Sequence, residues 1–324
     1  MPNCRRAFVA GGCGSLAANL LYCAGLGKSG GLRYANPPYV LQIARWFGSM
    51  LFLTIGTMTA LADNTISTTK VAIGPATTIV VRTCGQGEAV VLIPSWARGA
   101  SDFDALMNAL CTAGYRSIAV NPRGIEGSEG PLEAMTTWDM AGDVAAVIEK
   151  LGVRPAHVLG HAGGNRVARA LATKHPDLVK SVMLLAAGGR HTVKEKFDLF
   201  ANETMFVEPT AETFIRVMHD SGFFAASADP HAWIGGWWRA TARPQALANR
   251  AIKPEEWWAG GGKPMLVVQG LEDGIAPPEN GRDLKKLYPD RVKLVELKKT
   301  AHAMLPEQPA SIAEAVIGWL KAQP

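Results

Sequence analysis

The sequence predicts an α/β protein, with a mostly parallel sheet covered by helices on both faces. Three observations carry this. From about Val71 short β-rich runs alternate with amphipathic helical stretches, as crossover units require. A glycine-framed turn, Gly160-His161-Ala162-Gly163-Gly164, stands between a strand-like run at 156–159 and a helix-like run at 165–174. The alternation breaks between 188 and about 262, in a stretch crowded with aromatic residues, and then resumes.

Taken in order, 77–82 and 89–94 read as strands, with Gly85-Gln86-Gly87 turning the chain between them. Residues 102–113 are helical and 116–121 return to a strand. The stretch 136–151 is a strong helix, because Met140, Val144, Val147, Ile148 and Leu151 share one face at helical spacing. After the glycine turn and its helix comes a strand at 180–186. The aromatic stretch follows, with Phe197, Phe200, Phe206, Phe223, Phe224, Trp233, Trp237, Trp238, Trp257 and Trp258. The regular pattern resumes with a strand at 264–269, a helix through Leu284 and Leu287, a strand at 292–297 and a final helix to Ala322. Neither an internal repeat nor a low-complexity tract interrupts it.

Of the 324 residues, 33 are basic and 28 acidic, a formal net charge of +5. Residues 1–62 hold Arg5, Arg6, Lys28, Arg33 and Arg45 with no acid, so residues 63–324 carry 28 basic and 28 acidic side chains. The basic excess belongs to a leader, and a nucleic-acid partner loses its electrostatic basis. That leader has two apolar segments. The first follows Arg5-Arg6 and loosely resembles a twin-arginine signal. The second, 43–62, ends in Ala60-Leu61-Ala62, a small-x-small site expected to be cleaved before Asp63. Export to a periplasmic or secreted location is therefore expected. An uncleaved anchor would make membrane contact through the leader alone, and a later start at Met50 is the other alternative. Cys4, Cys13 and Cys23 lie in the leader. Cys84 and Cys111 lie beyond it, and whether they pair is left open, since the sequence does not give their distance. No Cys-x-x-Cys or His-Glu-x-x-His pattern occurs, so no metal and no cofactor is expected.

Four motifs in order, spanning 77–320, carry a resemblance to the α/β-hydrolase fold family. Pro94-Ser95-Trp96-Ala97-Arg98-Gly99 stands where many members have a His-Gly turn. The run from Asn121 to Ser128 resembles an Asp-x-Arg-Gly-x-Gly-x-Ser loop. Gly270-Leu271-Glu272-Asp273 with Pro277 resembles the acid loop, and Ala301-His302 with Glu307 and Pro309 the histidine loop. The glycine turn resembles the Gly-x-Ser-x-Gly elbow, with Ala162 at the nucleophile position. The resemblance implies an α/β-hydrolase fold in residues 63–324, with a helical cap at about 188–262. It implies His302 as base and Asp273 as its orienting acid, facing each other at the carboxyl edge of the sheet. It also implies an oxyanion hole made of the backbone N–H groups of Gly163 and of Trp96 or a neighbour. His161 is read as packing beneath the turn, and Arg123 as pinning a loop. Arg98 either binds an anionic substrate or pins its own loop. Tryptophans in such a stretch are more often cap packing than a cofactor box, but so many aromatics over a site imply an apolar or aromatic-bearing small molecule, with Trp233 and Trp237 as candidate substrate contacts.

Alanine at the elbow cannot form an acyl-enzyme. The expected activity is hydrolase-type chemistry on a small carbonyl compound such as an ester or lactone, by the His/Asp pair and oxyanion hole without a serine. The alternatives are a non-catalytic ligand-binding protein on the same fold, or a serine esterase inactivated by a serine-to-alanine change. Ser95 and Ser101 are weaker candidates for a displaced nucleophile, since neither sits in an elbow.

Overall fold

The computed structural model describes residues 65–324. The leader, with its two apolar segments, the expected cleavage site, Met50 and the three early cysteines, lies outside the described residues.

Eight strands form one sheet in the order β1-β2-β4-β3-β5-β6-β7-β8. β1 (Ser67–Gly74) and β2 (Thr77–Cys84) make an antiparallel hairpin, and β2 also runs antiparallel to β4 (Arg116–Val120). β3 (Ala89–Ile93), β4, β5 (Ala156–His161), β6 (Val179–Leu185), β7 (Met265–Gly270) and β8 (Val292–Leu297) are mutually parallel. β1 is the strand that the sequence pattern did not announce. It is a largely exposed edge with only Val71 buried, so it lacks the apolar run that marks the interior strands.

The interior strands are buried on both faces because their odd and even residues enter different cores. Val91, Ile93, Val158, Val182 and Val267 pack with residues of α2 (Thr137–Lys150) and α3 (Gly163–Lys174). Val90, Leu92, Leu159, Met183, Leu266 and Val268 pack instead with α1 (Asp104–Thr112) and the C-terminal helix. α2 starts where Thr136 accepts the Asp139 amide and Asp139 accepts the Thr136 amide, a reciprocal cap. Met140, Val144, Val147 and Ile148 form its buried face, as their spacing requires. Cys84 at the end of β2 and Cys111 in α1, with Cα atoms 6.0 Å apart, are joined in a disulfide.

Between β6 and β7 the chain is helical: α4 (Lys194–Phe200), a π turn at Ala201–Met205, α5 (Ala211–Asp220), a 3-10 turn at Pro230–Trp233, α6 (Arg239–Arg250) and the short α7 (Pro254–Trp257). After β7 come α8 (Glu279–Leu287), α9 (Met304–Glu307) and α10 (Pro309–Leu320).

The strand order reverses at β3, whose neighbours β4 and β5 lie on opposite sides of it. The loops after β3 and β5 therefore part at this point, and a crevice opens at their carboxyl ends. The bend after β5 is tight enough to forbid side chains. A Cβ on Gly160 would lie 2.3 Å from the Gly164 carbonyl oxygen, and one on Gly164 would lie 2.2 Å from that of Ile93. Gly164→Ala should thus cost at least the 1–3 kcal/mol (roughly) of an overpacked core. A urea midpoint equal to that of the native chain would show that the bend is looser than this packing requires.

Candidate functional site

The bend places Ala162 at φ 48° and ψ −110°, a strained conformation for a residue with a Cβ. Ala162 is 7% exposed and lines a cavity of about 290 Å³ together with Trp96, Gly163, Phe200, Phe223 and His302. Asn165 holds the turn from inside, since its side-chain amide donates to the carbonyls of Ala162 and Ala186.

His302 lies between β8 and α9, and Asp273 on the loop after β7. His302 Nδ1 is 3.0 Å from Asp273 Oδ2 and 3.1 Å from Oδ1. Facing a carboxylate, Nδ1 carries the proton, which leaves the Nε2 lone pair bare; Nε2 has no partner among the described residues. Asp273 is fixed in turn by the Ile275 and Ala276 amides, which donate to Oδ1 at 2.9 and 2.7 Å.

Trp96 and Gly163 come together here. The Trp96 indole occupies the place where a Gly163 side chain would be, with Cδ1 2.4 Å from that Cβ position. Neither backbone N–H donates to an acceptor among the described residues. Both residues line the cavity, and Gly163 opens α3, where the helix dipole favours negative charge.

His161 sits beneath, fully buried, with Nε2 2.9 Å from the His302 carbonyl oxygen. Nε2 must carry the proton to make that bond, so Nδ1 is bare and has no partner. Burial, with lesser contributions from His302 and Arg98, pushes its pKa down to about 3, and the neutral ring supports the His302 backbone. A segment of the helical insertion ties the two loops together. The Ala303 amide donates to Phe223 O at 2.8 Å and the Gly274 amide to Gly222 O at 3.0 Å. Glu307, its pKa raised by burial, accepts the amides of Ala225 at 2.6 Å and Ala301 at 2.7 Å.

The expected substrate contacts Trp233, Trp237 and Arg98 do not line the cavity. Arg98 is nearly buried and makes a two-point pair with Asp102, at 2.9 Å from Nε and 2.5 Å from Nη2. Its guanidinium lies 4.4 Å from the Trp233 ring centroid and 4.8 Å from that of Trp237, and donates to Gly235 O. These three side chains pin the insertion to the loop after β3. A cation so paired and stacked has little left to offer a ligand. Arg123 is bound by Asp143 at 2.7 Å through both nitrogens. Ser101 bonds Glu126 and stands away from the cavity, whereas Ser95 lines it.

Sequence reasoning passed over Arg166 and the α6 residues Ala246, Asn249 and Arg250, and named Phe223 only as one of the aromatics of the insertion; all of them line the cavity. Arg166 had a signal available: it falls four residues after the elbow position, on the first turn of the following helix. The others carry no motif, and only the path of the insertion brings them in.

Comparison with known proteins gives concordant matches. A family profile described as alpha/beta hydrolase fold matches residues 88–208. A putative non-heme bromoperoxidase of Mycobacterium tuberculosis is 26% identical over 249 residues, covering 72% of this chain and 94% of that protein. A 2-hydroxy-6-oxononadienedioate/2-hydroxy-6-oxononatrienedioate hydrolase of a Pseudomonas species is 24% identical, covering 75% of this chain and 91% of that protein. The solved structure of a meta-cleavage product hydrolase from Pseudomonas fluorescens superposes with a TM-score of 0.66 at 21% identity, over 79% of this chain and 98% of that one.

The depressed pKa of His161 fixes the sign of one pH effect. Between pH 3 and 6.5 the unfolded chain binds this proton and the folded chain does not, so stability is full above about 6.5 and falls as pH drops toward 3. The loss is of the order of a few kcal/mol. His161→Gln, which keeps a donor for the His302 carbonyl, should flatten this part of the urea-midpoint profile; an unchanged slope would place the titration elsewhere.

Proposed function

From a chain that belongs to the α/β-hydrolase fold family, we propose a hydrolase that acts on a small carbonyl compound without a covalent intermediate. The observation that supports it best is the bare Nε2 of His302, set by Asp273, at the cavity that Ala162 lines beside two undonated amides. The substrate carbonyl lies over Ala162, with its oxygen toward the N–H groups of Trp96 and Gly163. His302 Nε2 takes a proton from a water held against the carbonyl carbon, and the water oxygen bonds to that carbon. Negative charge develops on the carbonyl oxygen and is met by the two amides. As the carbon–leaving-group bond breaks, the imidazolium returns its proton to the leaving atom, and the acid product departs. Asp273 stabilises the imidazolium and holds its tautomer. The alanine methyl leaves space where a serine hydroxyl would stand, and the attacking water takes that place. Sites lacking a complete triad still reach roughly 10³–10⁴ over water from the oxyanion hole and binding alone.

Relatives named as hydrolases of small molecules favour this over a binding protein. Residues 188–262 serve as the cap in this proposal, closing the cavity from the β6–β7 side. Export remains part of it, and the Cys84–Cys111 disulfide fits an oxidising compartment.

Short esters, lactones and thioesters form the test panel for the purified chain. His302→Ala should abolish turnover, and Asp273→Asn should lower kcat by about 10²–10⁴. Turnover indifferent to His302→Ala would reject the base role. Ala162→Ser should create or raise ester cleavage with a burst of acyl-enzyme; an inert variant would mean that His302 does not address the elbow position.

A further inference from the structure

Among the described residues, Arg166 is a cation in the cavity lining whose charge no carboxylate answers, and unlike the exposed Arg250 it is partly buried there. Arg166 lies half-buried in the lining, on the first turn of α3, with its guanidinium 4.9 Å from the Trp96 ring centroid. Among the described residues it makes no ion pair and no hydrogen bond. Directly below, Arg169 is fully buried between Trp257 and Trp258, at 4.5 and 4.6 Å. It donates only to Asn165 and to the Gly188 carbonyl, and its Nη1 has no partner. Arg190 also lies over Trp258, at 4.8 Å. Three guanidinium groups, Arg166 in the lining with Arg169 and Arg190 near it, thus gather by one wall of the cavity with no carboxylate bonded to any of them among the described residues. At the rim the lining adds Lys194 and Arg250, while its one acidic side chain, Asp198, is already bonded to Lys194.

Buried positive charge is costly unless something compensates it. Indole faces answer part of that cost, and an anion in the cavity would answer the rest. The same cavity offers the free amide of Gly163 and the hydroxyl of Ser95, a buried residue whose side chain has no partner among the described residues. Apolar wall is supplied by Phe197, Phe200 and Phe223. A space of about 290 Å³ admits a small organic molecule. The planar fork of an arginine suits a carboxylate.

Resting on the hydrolase proposal for its second half, we propose that Arg166 binds the carboxylate of a small substrate, so that the enzyme acts on carbonyl compounds that carry a separate carboxylate group. Arg166 then sets the distance between the anionic end and the carbonyl over Ala162, and neutral esters of the same size are poorer substrates.

Calorimetric titration of the purified chain with benzoate and with benzamide, which is isosteric and neutral, tests the anion site without any turnover. Benzoate is expected to bind at least tenfold more tightly. Arg166→Met should erase that preference and leave benzamide affinity within about threefold. Arg166→Lys should keep part of it, and Arg250→Gln should keep it all. Inorganic phosphate should compete weakly, since it has no apolar face. Equal affinity for the two probes in the native chain overturns the proposal, as does a preference that survives Arg166→Met or disappears in Arg250→Gln. The native ratio needs no variant, so a folding failure at Arg166 does not shield the idea. His302→Ala should retain the benzoate preference, and so separates the fate of the anion site from that of the catalytic proposal.

Discussion

The sharp bend between β5 and α3 is the constraint from which the rest of the site follows. It exists because Gly160 and Gly164 have no side chains, so that one backbone lies on the other and Gly164 lies on the carbonyls of Ile93 and Pro94. That contact brings the start of α3 against the loop after β3, at the point where the strand order reverses. Three features are consequences of it. Ala162 is held at positive φ on the cavity wall, the Gly163 amide is left without an acceptor, and the first turn of α3 places Arg166 beside Trp96.

The insertion between β6 and β7 does more than cover the crevice. Hydrogen bonds at Gly222, Phe223 and Ala225 run to the loops bearing Asp273 and His302, and the ring of Phe223 lies 4.9 Å from that of His302. On the other side, Arg98 joins Asp102 and the tryptophans Trp233 and Trp237 in one stack. Movement of this segment would therefore be felt by the imidazole and its carboxylate. The insertion is a structural partner of the site, and its most conspicuous aromatics spend themselves on that attachment.

Two buried histidine and arginine environments show how differently burial acts on charge. His161 escapes its cost by staying neutral and spending its one proton on the His302 carbonyl. Arg166 and Arg169 have no such exit at neutral pH. Burial lowers both pKa values, Arg166 to about 10, yet the guanidinium stays protonated and looks to indole faces for compensation.

Much of this was legible in the chain itself. Glycines at 160, 163 and 164 between an apolar run and a helical one announce the bend, because only a glycine-framed turn fits a strand directly into a helix there. The loops bearing Asp273 and His302 were legible as loops at the carboxyl ends of strands, and the structure brings the two side chains into contact. β1 was missed because an exposed edge strand needs little apolar pattern. For Arg98, Trp233 and Trp237 ligand contact and packing both stayed open in the sequence, because composition tells that aromatics are near a site but not which way they face. Local sequence determined the alternation of elements, the bend and the identity of the chemistry-bearing residues, all of which depend on neighbours a few positions away. The tertiary structure alone decided that Arg166 stands in the cavity without a counter-ion among the described residues and which aromatic rings line it, since both depend on contacts between segments far apart in the chain, such as Arg166 with Trp96 and Phe223 with His302.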